Sequence, residues 1–369
     1  MTRFPKVTKL IRKTRGRRRG CLPKTCFWEG RVAMKDQIKP FEGGLMKVRF
    51  FLATVLSLFW VMTIFCLANA QGDYPNKPIQ IYVGQPPGGS TDLLVRALAQ
   101  DVKNYLGQDI VAVNKPGAAG TVSAVQVASA KPDGYILGGN PTAAFTIGPF
   151  FQDLSVDLVA ETTPILTYAK FYGGVFVKAD SPFKSFKDLL EYAKKNPGKL
   201  TYGHPSVGTR SHLIMEMIAA QEGLNINFVA FPGDAPEVAA ILGGHVLAGG
   251  ASAGTIWTSQ IQAGQLRFLA VEEPIYLFPE VPTLGQLGYQ ISLPIYVFLF
   301  GPKNLPELVL KKLEGAFSKA VQNPAFKDFT RKNVVYTEKN LSHEELVRFL
   351  PAEKAKAGEI IKKLGLKKK

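Results

Sequence analysis

Residues 83 to 100 read VGQPPGGSTDLLVRALAQ, which sets a double glycine, a hydroxyl pair and an acid directly ahead of an amphipathic run. The turn holds no lysine, arginine, histidine or cysteine, so a bound group must be gripped by backbone N–H groups and hydroxyls. A helix start offers unpaired N–H groups and the positive end of the macrodipole, about half an elementary charge, and therefore favours an anion. Gly88 and Gly89 let the backbone approach closely, Ser90 or Thr91 can cap the helix or donate a hydroxyl bond, and Asp92 suits the same dipole from the first turn. The stretch NKPGAAGTVS repeats the device at Asn114, Pro116, Gly117, Ala118 and Gly120, whose small side chains leave N–H groups uncovered. Two such turns on adjacent strands converge on one point, although each alone also reads as a plain tight turn ahead of a helix.

Catalytic chemistry has a weaker footing. GASAG, Gly250 to Gly254, fits G-x-S-x-G around Ser252, and Asp328 and His343 follow it in hydrolase order. Segments rich in small residues match that pattern easily, however, His343 lies in a capping-type SHEE helix start, and no HGGG-like oxyanion segment is present. His204, His212, His245 and His343 lack ligand spacing for a metal, and neither G-x-G-x-x-G nor a Walker lysine accompanies the glycine turns. The expectation is a binding protein with no catalytic residue, cofactor or metal.

The formal charge of +16 over 369 residues is uneven: residues 1 to 70 carry a surplus of +12 and the remainder only +4. Cys21, Cys26 and Cys66 also lie in that leader, so the rest of the chain forms no disulfide and offers no thiolate. From Met46, Lys47 and Arg49 precede an uncharged apolar run, Phe50 to Ala68, and Ala68-Asn69-Ala70 completes a secretory signal cut after Ala70. The same 19-residue run is long enough for an uncleaved anchor, but the small-residue site favours cleavage and a periplasmic product. The basic run RKTRGRRRG upstream has no evident use in an exported protein, which points to Met46 as the initiator and gives no ground for nucleic-acid binding.

A mature chain of 299 residues exceeds what one core usually supports, so two α/β lobes are expected. PIQIYV (78 to 83) and DIVAVN (109 to 114) read as strands, and Leu94, Leu98, Val102 and Tyr105 form one helical stripe stopped by Gly107. DGYILGGN reads as a third strand. Ser185 and Asp188 have capping-box spacing ahead of a helix that Pro197-Gly198 stops. LTYGH, VLAGGAS and LRFLAV alternate with helical runs, which sets residues 176 to 289 apart as a lobe of their own, flanked by the apolar segments GGVFVKA and IYVFLFGP. The first lobe is then discontinuous, residues 71 to 175 with 290 to 369, and helical from Pro306 to Val321 and from about Glu344 to Leu364.

The segment NKPIQIYVGQPPGGSTDLLVRALAQDVKNYLGQDIVAVNKPGAAGTVSAVQVASAKPDGYIL closely resembles the first lobe of receptors of the tripartite tricarboxylate transporter family, also called Bug-type periplasmic solute-binding proteins. The likeness continues through YGHPSVGTRSHLIMEM, FPGDAPEVAAILGGHV and EVPTLGQLGY. It implies a two-lobed, type II Venus-flytrap fold. Such a monomeric receptor captures a small organic carboxylate and hands it to one large and one small integral-membrane subunit; sensing for a signalling system would need the same flytrap. By the resemblance, the first-lobe loops correspond to Gly88 to Asp92 and to Asn114, Pro116, Gly117, Ala118 and Gly120, and the second-lobe loop to Gly208, Thr209, Ser211 and His212. Three departures stand out: Gly84-Gln85-Pro86 puts an amide where an aromatic wall is common, Phe231-Pro232-Gly233 replaces Tyr-Lys-Gly, and Arg210 sits where a small residue is usual. Arg210 could clamp a second carboxylate or be a solvated loop arginine.

Overall fold

The computed structural model describes residues 74–251 and 254–366. The basic extension, the expected export signal, all three cysteines and Ser252 lie outside them. Among the described residues no helix is long and apolar enough to cross a membrane.

The chain builds two five-stranded α/β sheets, the first of them completed only after the second. The first lobe runs β1 (Ile79–Val83), α1 (Ser90–Leu106), β2 (Ile110–Asn114), a 3-10 turn (Ala118–Gly120), α2 (Thr121–Ala128), β3 (Ile136–Pro141), α3 (Ala143–Thr146), a second 3-10 turn (Gly148–Phe150) and β4 (Thr162–Phe171). After a crossover at residues 172 and 173 come β5 (Gly174–Lys178), α4 (Phe186–Lys195), β6 (Thr201–His204), α5 (Arg210–Glu222), β7 (Asn227–Ala230), α6 (Asp234–Leu242), β8 (Ala248–Ala251), α7 (Gly254–Gln262) and β9 (Leu266–Val271). The chain then returns through β10 (Ile295–Pro302) to α8 (Glu307–Val321), α9 (Pro324–Lys332) and α10 (His343–Lys363).

The strand orders are β2-β1-β3-β10-β4 and β7-β6-β8-β5-β9. In each sheet the first three strands are parallel and the fourth is antiparallel to its neighbours, so the two lobes repeat one plan. Each antiparallel strand is the first that the chain enters after a crossover, β5 on the way out and β10 on the way back. In such sheets ligands bind outside the carboxyl ends of the strands, where the order switches direction. The loops after β1, β2 and β6 therefore fall where a site belongs.

Local chemistry explains the elements. Leu94, Leu98 and Val102 are buried on one stripe of α1, but Tyr105, expected to extend it, is exposed and Leu106 is buried instead; Gly107 closes the helix at φ 69° with its N–H on the Lys103 carbonyl. The capping box at α4 is complete: Ser185 Oγ accepts from the Asp188 N–H and Asp188 accepts from the Ser185 N–H. Ile79, Ile81 and Val83 of β1 belong to an apolar cluster that continues through Val175 and Val177 of β5 to Leu213 and Ile218 of α5. The core is thus contiguous through the crossover.

Candidate functional site

The turn after β1 is held entirely by its own neighbourhood. Gly88 has φ 81°, and its N–H donates to Asp92 Oδ2 at 2.9 Å. The cap residue of α1 is Gly89, with no side-chain capping bond, so neither Ser90 nor Thr91 is its cap. The Gln85 amide does that work instead, its Oε1 accepting the Thr91 N–H at 2.9 Å. The side chain that replaces an aromatic wall is thereby spent on the helix start. Burial alone would raise the Asp92 carboxyl, but Arg96, the Gly88 N–H and Asn114 together hold it below its ordinary value. Arg96 Nε lies 3.0 Å from both Asp92 oxygens, and Asn114 Nδ2 donates to Asp92 at 2.8 Å and to the Gln85 carbonyl at 2.9 Å. Asp92, Arg96 and Asn114 therefore brace the turn.

The turn after β2 is strained. Gly117, Ala118, Ala119 and Gly120 have φ of 139°, 48°, 54° and 94°, and a left-handed residue other than glycine costs about 1–2 kcal/mol. Such strain persists only where surroundings over-determine it. Thr121 Oγ1 and Gln152 Nε2 donate to the Ala118 carbonyl at 2.8 and 2.9 Å, and Asn140 Nδ2 donates to the Gly120 carbonyl at 3.0 Å. Fully buried Asn140 also accepts the Gly84 N–H at 2.9 Å and so staples the two first-lobe turns together. Gly84 must lack a side chain here, because a Cβ would come within 2.5 Å of the Gly120 Cα. Pro116 to Ala119 remain at the surface.

The second-lobe turn after β6 copies the first. Gly208 has φ 77°, Thr209 at the cap has φ −69° and ψ 158° against −68° and 158° at Gly89, and the Gly208 N–H donates to His212 Nδ1 at 3.1 Å. Each glycine N–H is accepted by the side chain four residues on, Asp92 in one lobe and His212 in the other. The acceptor role requires His212 Nδ1 to be unprotonated. Its ring stacks on His204 with centroids 4.2 Å apart, and Phe228 meets it edge-on at 5.4 Å. Burial pushes the His204 imidazole down to about 4, helped by His212 and opposed by the Ser206 carbonyl that its Nδ1 reaches at 2.8 Å. Thr209 Oγ1 donates to the same carbonyl at 2.7 Å.

Arg210 is not a solvated loop residue. It is 2 % exposed, Nη1 donates to the Phe171 carbonyl at 2.7 Å, and Nε lies 3.1 Å from Glu272 Oε2. Glu272 follows β9, and its N–H donates to the Gly173 carbonyl at 2.9 Å. Arg210 thus ties the start of α5 to both segments that cross between lobes, and Ser211 beside it is buried. Burial pushes the Glu272 carboxyl up to about 7 against the pull of Arg210. At the neighbouring turn into α6, Glu237 is buried and accepts the Gly250 N–H at 3.0 Å.

The lobes meet at Phe151. Its ring covers Gly208, where any Cβ would overlap it, while Gln152 reaches the Ala118 turn of the first lobe. Sequence reading missed Asn140, Phe151 and Gln152 as site residues; only Asn140 carried a signal, as the lone amide ending an apolar strand. For the hydrolase alternative, Asp328 is exposed on α9, and His343 Nδ1 lies 2.5 Å from the Pro164 carbonyl. Among the described residues no three potential ligands gather around a metal position. An apolar groove of about 640 Å³ between Val159, Ala160, Leu346 and Leu350 shares no residue with the three turns.

Comparison with known proteins bears on family and fold. The profile described as "Tripartite tricarboxylate transporter family receptor" matches residues 94–366. A Cupriavidus necator protein described as "UPF0065 protein in gbd 5'region" is 34% identical over 304 residues, 82% of this chain and 92% of its own. Among solved structures, one described as "Structure of a periplasmic transporter" is 31% identical and superposes with a TM-score of 0.73 over 80% of this chain and 99% of the other. The periplasmic binding protein BugD is 27% identical, with a TM-score of 0.71 over 80% and 100%.

Proposed function

The chain belongs to the tripartite tricarboxylate transporter receptor family, a family of periplasmic solute-binding proteins, and from that premise we propose that it is an exported receptor that closes two lobes on a small organic carboxylate and delivers it to a membrane transporter. The observation that carries the reading is the paired turn: Gly88-Gly89 and Gly208-Thr209 share one backbone geometry and open α1 and α5, one in each lobe. Two helix starts aim the positive ends of their dipoles at an anion, so the seat needs no lysine or arginine; the Gly88, Gly89, Thr91, Gly208 and Thr209 N–H groups are engaged within their own turns and would exchange those partners for the ligand. Asp92 does not oppose the anion, because Arg96 neutralises it. The strained Gly117–Gly120 turn, stapled to the first by Asn140, adds a third set of donors.

The ligand contacts on this reading are Gly88, Gly89, Ser90 and Thr91, the turn from Pro116 to Gly120, and Gly208, Thr209 and Ser211. Asp92, Asn114, Arg210 and His212 hold those contacts in place. The ligand keeps its covalent structure, and since each lobe adds donors only on closure, binding favours the closed state, which a membrane partner can read.

Thermal-shift screening of the mature protein against a carboxylate panel tests the proposal, since ligand at 100 times Kd stabilises the native state by about 2.7 kcal/mol. Gly89→Val puts a Cβ within 2.9 Å of Gln85 Oε1 and is expected to abolish the shift, as is Thr209→Val, with the fold retained. Unchanged affinity in both variants would move the site elsewhere. Ester hydrolysis lost on Ser252→Ala would point to an enzyme.

A further inference from the structure

Three consecutive residues where the second 3-10 turn ends, Phe150 to Gln152, point in three directions. Phe150 packs on Gly358 of α10, where a Cβ would come within 2.8 Å of its Cζ. Gln152 is tied to the strained first-lobe turn, Nε2 donating to the Ala118 carbonyl at 2.9 Å and Oε1 meeting the Thr121 hydroxyl. Phe151, between them, lays its ring across the second lobe on Gly208. The flanking residues fix the backbone to the first lobe, and the ring presses on the glycine whose N–H orders the second-lobe turn.

Two features make this more than packing. Gly208 combines a left-handed φ of 77° with a ring on its Cα, so backbone and space both demand glycine there. Partly exposed apolar side chains also border the same loops: Val207, 55 % exposed, precedes Gly208, and Val122, 39 % exposed, packs on Gly117. The guanidiniums of α1 and α5 are meanwhile engaged by Asp92 and Glu272.

We propose that Phe151, held by Gln152, is the clasp by which the first lobe grips the second and the apolar wall against which the body of the bound acid rests. The ring seats on Gly208 when the lobes close and leaves it when they part. The wall rests on the carboxylate reading above; the clasp does not. The ligand class that follows is an organic acid with an apolar body, in preference to a compact polyanion.

Because all three cysteines precede residue 71, the mature protein accepts a clean spin-label pair at Lys131→Cys and Lys187→Cys, one exposed site on each lobe. Electron-electron double resonance without any acid reads the clasp directly. Phe151→Ala and Gly208→Ala are expected to shift the distance distribution away from that of the parent, and Phe151→Leu to restore it in part. A Phe151→Ala distribution identical to the parent, with the melting temperature unchanged, would overturn the clasp. Thermal shifts with benzoate and malate read the wall: Phe151→Ala is expected to weaken benzoate about tenfold more than malate, and equal weakening would overturn it. If no acid shifts the parent protein, the carboxylate reading and the wall fail together while the spin-label result still decides the clasp.

Discussion

Asn140 shows how one amide can hold a site without touching a ligand. It accepts the Gly84 N–H and donates to the Gly120 carbonyl and to Ser123 Oγ, all within the core. Asn140→Ala leaves the Gly84 N–H unpaired while the Gly120 carbonyl keeps the Ser123 hydroxyl, and it is expected to cost about 1–3 kcal/mol in urea unfolding, as for one buried unsatisfied group. Asn140→Ala is also expected to weaken ligand binding, because the two turns it joins separate. Glu237 makes a different prediction. Burial holds its carboxyl well above the ordinary value of 4.5, so its contribution to stability is full below 4.5 and is lost as pH rises through the folded value. Glu237→Gln keeps an acceptor for the Gly250 N–H and removes the ionisation. Its melting temperature should exceed that of the parent at pH 8, with the gap narrowing at pH 5.

At the scale of elements, the strained turn after β2 is the most informative. Ala119 at φ 54° carries a cost of about 1–2 kcal/mol that glycine would not, less about 0.5–1 kcal/mol for glycine's freedom in the unfolded chain. Ala119→Gly is therefore expected to raise unfolding free energy by about 0.5–1 kcal/mol; a destabilised variant would mean that the Ala119 methyl packs more usefully than its strain costs. Elements with local signatures were legible in the sequence. The capping box at Ser185, the α1 stripe as far as Val102, and β9 and β10 stand as their patterns indicate. β4 was not, since TTPILTYAKF lacks alternation and finds its partner β10 more than a hundred residues on. α9 escaped as well, although Asn323 caps it and Pro324 opens it. Of the site, the glycine turns were readable because their chemistry is local. The roles of Gln85, Arg210 and Gln152 were not, because Thr91, Glu272 and Ala118 become their partners only through the fold.

For the whole molecule, the question is what joins two similar lobes. The buried Arg210–Glu272 pair lies where the chain crosses between them, with Gly173 so close that a Cβ would overlap Glu272. Breaking one partner of a buried pair costs about 3–5 kcal/mol, whereas replacing both with apolar residues is often neutral. Arg210→Met is accordingly expected to lower unfolding free energy by about 3–5 kcal/mol, and the double variant Arg210→Met with Glu272→Leu to recover most of it. Recovery of stability without recovery of ligand affinity would show that the pair orients the Thr209 turn rather than merely filling space. The most direct measurement of the central claim is a crystal structure of the mature receptor with the acid that gives the largest thermal shift. A carboxylate within hydrogen-bond reach of main-chain N–H groups at both Gly88–Thr91 and Gly208–Ser211 is the expected result. An acid lodged in the groove beside Leu346 and Leu350, or held by one lobe alone, would contradict it.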